Sequence, residues 1–184
     1  MYVYVKYVHG STFFETGDMP MFDAFLRSTV LVLCLLLGVM AGFFFAFSNT
    51  VMPGLDLVAG PDAMQAMQNI NVAVRNPVFF GVFAATPALA VVLALICLGL
   101  ARHRGPGVLL VLAALIYLGG VVALTATINV PMNRALALLS DLAVADWLLW
   151  SADWTLSNHV RTVASVLSLM LAVMAMRRMA MQGR

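Results

Sequence analysis

Residues 28–48 read STVLVLCLLLGVMAGFFFAFS, a run without a single charge. As a helix rising 1.5 Å per residue it spans about 30 Å, the thickness of a bilayer's hydrocarbon core. Such a run fits no soluble four-helix domain, whose helices carry a polar face. Ala46 and Ser48 give it the small-x-small ending of a signal peptide. Its apolar part is longer than the 7–15 residues usual there, and a long polar leader precedes it, so the segment reads as a retained span.

The rest of the chain agrees. Of 184 residues, 63% are hydrophobic and 10% charged, with a mean hydropathy of +0.99. A soluble domain is nearer half apolar and a quarter charged. Further spans fill 77–101, lie within 107–130, and run from about Ser157 to Arg177. The net charge of +2, with no basic run interleaved with aromatics, gives no reason to expect nucleic acid. Cys34 and Cys97 sit inside apolar runs without a CxxC or a nearby histidine, and read as small buried hydrophobes.

Charge sets the expected orientation. Lys6, Arg27, Arg102, Arg104, Arg177, Arg178 and Arg184 fall on one side, and the acidic residues Asp56, Asp62, Asp141, Asp146 and Asp153 on the other. Both termini are therefore expected in the cytoplasm, with the loops 50–76 and 131–157 outside. The expected division is a leader over 1–26, a membrane domain over 27–180 and a tail over 181–184. The leader alternates like a strand but has no evident partner; it reads as a loose tail, or as an extension upstream of a start at Met19 or Met21 rather than Met1.

Polar residues collect at the outer end of every span. Trp154, Asn158, Arg161, Thr162 and Ser165 fall within about 100° of a helical wheel, with His159 turned about 100° from Asn158. Only fifteen residues separate Arg161 from Arg177, about 24 Å of helix, so Arg161 lies inside a 30 Å core. An ionisable group at that depth faces a bundle interior or a wet cavity and is a functional hypothesis by default.

The third span offers a matching ladder, Thr125, Asn129 and Asn133, before Pro131 ends or kinks its helix. The asparagines then either satisfy carbonyls freed at the proline or line a pocket. Ser48, Asn49 and Thr50 precede Met52 and Pro53, and Asn69, Asn71 and Arg75 precede the second span. Gly38 and Gly42 form a GxxxG, a weak sign of close helix packing. Trp147, Trp150 and Trp154 share one helical face, as headgroup-depth anchors or as an aromatic wall over the pocket.

This set excludes several chemistries. His9, His103 and His159 are far apart, no nucleotide-binding glycine pattern occurs, and no Ser-His-Asp set is evident. What remains is a pocket with one base candidate, amides, a fixed cation and aromatic walls. His159 either abstracts a proton or is a neutral hydrogen-bonded residue; Asn158, Arg161 and the other asparagines suit an oxyanion.

GVMAGFFFAFSNTVMPGL, AMQNINVAVRNPVF, NVPMNRAL and WTLSNHVRTVAS together resemble the anthrone oxygenase-like membrane proteins. The resemblance covers roughly residues 28–180. It implies oxidation of an anthrone to an anthraquinone by molecular oxygen without metal or flavin. By resemblance, His159 is the candidate base, with Asn158 and Arg161 beside it in catalysis. Asn129, Asn133, Trp147, Trp150, Trp154, Asn71 and Met52 are expected to contact substrate.

The expected fold is all-α: a four-helix transmembrane bundle with a short interfacial helix in the outer loop between spans 3 and 4. The expected partners are a lipophilic small molecule, molecular oxygen and the lipid bilayer, with homo-oligomerisation left open and no cofactor or metal. The rival reading is a non-enzymatic membrane protein that binds a quinone, haem or lipid, or supports a partner protein.

Overall fold

A computed structural model describes residues 4–8, 11–15, 20–140 and 144–182. Met1, His9, Met19, Asp141 and Arg184, named above, lie outside these residues. The leader does contain a pair of strands: Tyr4–Val8 runs antiparallel to Ser11–Glu15, with Tyr4 opposite Glu15 and Val8 opposite Ser11. The partner missing from the sequence reading is the next segment of the same leader.

From Pro20 onward the described chain is helical, and four helices are long and apolar enough to cross a membrane. The first covers Pro20–Ala46 and continues through a π-helical turn, Phe47–Val51, into Met52–Leu55. A loop helix, Gly60–Ala73, follows. The second span is Pro77–Gly99, started by Asn76, whose side chain accepts from Phe79 N at 2.9 Å. A 3-10 turn, Ala101–His103, leads into the third, which runs Arg104–Tyr117 and then through π-helical turns Leu118–Ala123 and Thr125–Asn129 to Val130–Leu136. The fourth helix is Val144–Gln182.

The spans close a ring in the order first, fourth, third, second. Leu26, Val30, Leu33, Leu37, Met40 and Phe44 recur at three- and four-residue steps, which puts the core face of the first span on one stripe. Opposite them lie Leu93, Cys97, Leu110, Tyr117 and Ala172. Small residues set the spacing elsewhere. A Cβ on Gly120 would stand 2.5 Å from Ala164 Cβ, so the third and fourth helices meet too closely there for any side chain. Gly107 likewise faces the backbone of Cys97 and Leu98 across the turn between the second and third spans.

Three expectations need correction. The tryptophan segment is not a separate interfacial helix but the start of the fourth helix, which passes without a break through Ser157. Gly38 and Gly42 do not mediate packing: nothing lies within 4 Å of a Cβ built on either. Pro131 does not end its helix. The turn before it widens to i→i−5 bonding, with Val130 N bonded to Thr125 O, and the helix resumes. The same device precedes Pro53, where Met52 N bonds to Phe47 O. A proline ring clashes with the carbonyl four residues back, and a widened turn relieves that clash.

The two ends of the bundle differ. At one end the start of the first span, the 3-10 turn and the chain's last helical turn meet. There Arg102 Nη2 donates to Asp23 Oδ1 at 2.6 Å, His103 Nε2 lies 3.0 Å from the same oxygen, and His103 Nδ1 lies 3.2 Å from Gln182 Oε1. At the other end a second core of Met52, Met64, Met67, Leu136, Trp147 and Trp154 seats the loop helix. Gln68 Nε2 fastens it by donating to Leu136 O and Leu139 O at 2.8 and 3.0 Å.

Candidate functional site

Arg161 lies on the buried face of the fourth helix and is 6% exposed. Asn158, one turn earlier on the same stripe, holds it: Arg161 Nη2 donates to Asn158 Oδ1 at 2.8 Å. Asn158 uses its amide nitrogen twice more, donating to Phe44 O and to Ser48 Oγ at 2.6 Å each. Those acceptors sit where the first span passes into its π-helical turn. The asparagine therefore ties two helices together and fixes the guanidinium.

The rest of the guanidinium is held by aromatic faces. Its central carbon lies 4.6 Å from the Phe44 ring centroid and 5.1 Å from that of Trp154. Such cation–π contacts contribute about 0.5–2 kcal/mol each, against several kcal/mol lost when an ion leaves water. Thr125 Oγ1 accepts a long bond from Nη1 at 3.4 Å. Nε has no partner, and among the described residues no carboxylate comes within ion-pair distance of Arg161. A buried cation is left without its counter-charge.

Arg161 lines a cavity of about 750 Å³ at the end of the bundle that the loop helix covers. The size is that of a small-molecule site. Phe43, Phe47, Phe79, Phe80, Phe83 and Trp154 form its aromatic walls. Phe79 stacks on Phe83 with centroids 5.8 Å apart, and Phe43 bridges Phe79 and Phe47 at 5.1 and 4.8 Å. The second span leaves room for the cavity: its buried residues begin only at Thr86, about two and a half turns from its start at Pro77.

Thr125, Asn129 and Asn133 all line the cavity, so the ladder does face a pocket. The asparagines bond to the fourth helix rather than to freed carbonyls. Trp154 Nε1 donates to Asn133 Oδ1 at 2.8 Å, and Asn129 Nδ2 to Ser157 Oγ at 2.6 Å. Asn129 Oδ1 and the Asn71 amide nitrogen are buried without partners, and both residues line the cavity. Like Arg161 Nε, these atoms are sealed behind the cavity wall and do not open onto it.

The sequence-derived set divides. Arg161, Asn129, Asn133, Asn71 and Trp154 come together at the cavity, with Asn158 behind Arg161. Trp147 and Trp150 do not line it. They stack in a column toward Trp154, at 5.4 and 6.4 Å, and Trp147 Nε1 donates to Asp56 Oδ1 at 2.9 Å. His159 is exposed and, with Met52, Asp56 and Ser151, lines a separate cavity of about 330 Å³. One residue beyond Asn158, a helix has turned it about 100° away. The expectations that His159 and Met52 share the Arg161 pocket are therefore not met.

The phenylalanines are what the sequence reading missed, although Phe43/Phe47 and Phe79/Phe83 are i, i+4 pairs in plain view. In apolar spans such pairs do not stand out from the lipid-facing residues around them. Among the described residues no three His, Cys, Asp or Glu side chains gather as a metal site would require.

The family model of anthrone oxygenase matches residues 74–171, from the end of the loop helix well into the fourth helix. No curated protein and no solved structure matches the chain. The chain belongs to the anthrone oxygenase family.

Proposed function

We propose that this member of the anthrone oxygenase family uses its larger cavity to oxidise a lipophilic, enolisable aromatic ketone with molecular oxygen, without a cofactor. The observation that carries the reading is the buried Arg161 guanidinium, which has no carboxylate partner and looks onto aromatic walls. A neutral ligand would leave that charge uncompensated; an enolate or phenolate would neutralise it.

The chemistry follows from the charge. An anthrone has an acidic CH2 across its central ring from the ketone, conjugated to it through the flanking aryl rings. None of the described lining residues is a carboxylate or a histidine, so the site promotes ionisation by stabilising the enolate oxygen at Arg161, and the proton leaves to water. The electron-rich carbon gives one electron to oxygen, and the resulting radical and superoxide combine into a C–O bond. Protonation yields a hydroperoxide. Loss of the second hydrogen from that carbon breaks the O–O bond and releases water. One ketone and one oxygen molecule give one quinone and one water. Trp154 and the phenylalanines are suited to hold the flat rings. In this reading the cavity opens away from the cytoplasm, since Arg27, Arg102, Arg104, Arg177 and Arg178 lie toward the opposite end.

Purified protein in detergent, given an anthrone, should consume one oxygen per quinone formed, show no Soret or flavin absorption, and lose the activity as Arg161→Gln. A Soret or flavin band, or oxygen uptake unaffected by Arg161→Gln, would refute the mechanism. Binding of the quinone without any oxygen uptake would favour the non-enzymatic reading.

A further inference from the structure

The oxidation leaves part of the cavity's charge unused. Besides Arg161, the wall includes Arg75 and Arg134, and none of the described lining residues is acidic. Both are exposed and belong to the rim: Arg75 directly follows the loop helix, and Arg134 lies in the last turn of the third span. Helix C-termini favour cations, which accounts for an arginine at each place but not for the absence of compensating acids around the cavity. The described acids of this end are elsewhere. Asp56 lines the smaller cavity and accepts from Trp147. Asp62 is in the first turn of the loop helix, and Asp146 and Asp153 are exposed on the fourth helix. Among the described residues, neither Arg75 nor Arg134 reaches a carboxylate.

The cavity thus has a cation at its buried end, cations at its rim, and aromatic rings between them. A neutral polycyclic ketone answers only the first two of these three regions from the inside. We infer that the ligand is an aromatic acid: its enolisable oxygen meets Arg161, its rings lie among Phe43, Phe79, Phe83 and Trp154, and a carboxylate on its far end is held by Arg75 and Arg134. The inference rests on the reading of Arg161 given above for the orientation of the ligand. A guanidinium pair matches a carboxylate by forked, charge-assisted hydrogen bonds. A positive rim over a low-dielectric cavity also concentrates anions at its mouth.

The test uses two unreactive quinones of one shape, anthraquinone-2-carboxylate and anthraquinone-2-carboxamide. Their binding to the full chain in phosphatidylcholine nanodiscs is read by quenching of tryptophan fluorescence, to which the cavity's Trp154 contributes. The carboxylate should bind roughly tenfold tighter, and added salt should shrink the gap. The double variant Arg75→Gln/Arg134→Gln should bring the carboxylate down to the carboxamide's affinity. Equal affinities in the parent, or a preference that survives the double variant, would overturn the inference. So would loss of the preference when phosphatidylglycerol is added to the nanodiscs, because the rim would then be holding a lipid phosphate. Arg161→Gln separates the two readings: it should weaken both probes. If it weakens neither while the rim variant still abolishes the preference, the ligand's orientation at Arg161 is wrong and the anionic rim stands.

Discussion

Asn158 holds Arg161 at 2.8 Å with its only acceptor while both hydrogens of its amide bond to the first span, at Phe44 O and Ser48 Oγ. Every polar atom of this side chain is used, and it is fully buried. Asn158→Leu removes the clamp and strands those partners. The expected cost is about 1–3 kcal/mol of stability, seen as a lower unfolding temperature in detergent. Quinone binding should weaken as well, since Arg161 loses its fixed position. An unchanged melting profile would show that water replaces the side chain.

His159 and Arg161 are neighbours in sequence but face different spaces. His159→Ala should keep oxygen uptake within about twofold, whereas Arg161→Gln should lower kcat/KM by about a hundredfold or more, the usual effect of removing an oxyanion donor. Arg161→Lys should not restore it, because a compact ammonium cannot keep both ring contacts, 4.6 and 5.1 Å from Phe44 and Trp154, along with the bond to Asn158. Side-by-side oxygen-electrode traces decide this; a dead His159→Ala with normal binding would return the histidine to the mechanism.

Gly120 and Ala164 set how near the third and fourth helices come. Gly120→Ala should destabilise the bundle by about 1–3 kcal/mol through overpacking. Adding Ala164→Gly should recover most of that loss, giving a coupling energy that separate sites would not show. Gly38→Ala and Gly42→Ala, open on all sides, should be neutral by the same thermal assay.

At the far end, Asp23 accepts from Arg102 and sits beside His103. With Asp23 and Arg102 partly exposed, Asp23→Asn should cost only about 1 kcal/mol, a shift of roughly 2–4 °C. Quinone affinity should stay as in the parent. A large fall in affinity would mean that the two ends of the bundle are coupled.

The four spans were legible because a bilayer demands long apolar runs and punishes stray charge. Arg161, Asn129, Asn133 and Trp154 were legible for the complementary reason, as polar or amphipathic groups at a depth that needs an explanation. His159 was misplaced because chemistry suggested it while helical phase, already countable from Asn158, argued against it. Gly38 and Gly42 were misread because small residues report close packing only when they face a neighbour. Nothing in the sequence marked where burial of the second span begins, which depends on how all four helices meet, so the phenylalanine wall stayed hidden.

The widened turns of the third span have a further consequence. Its inner half and its outer half run in different reading frames. Up to Tyr117 the residue count points Leu110, Ala113 and Ala114 at a packed core, and past Asn129 it points Asn133 and Arg134 at an open wall. The π-helical turns are the splice between the two. A regular α-helix over the same number of residues would swing everything beyond it by about 100° for each widened turn. Such a chain would still contain every wall residue in its proper order, and would have no wall.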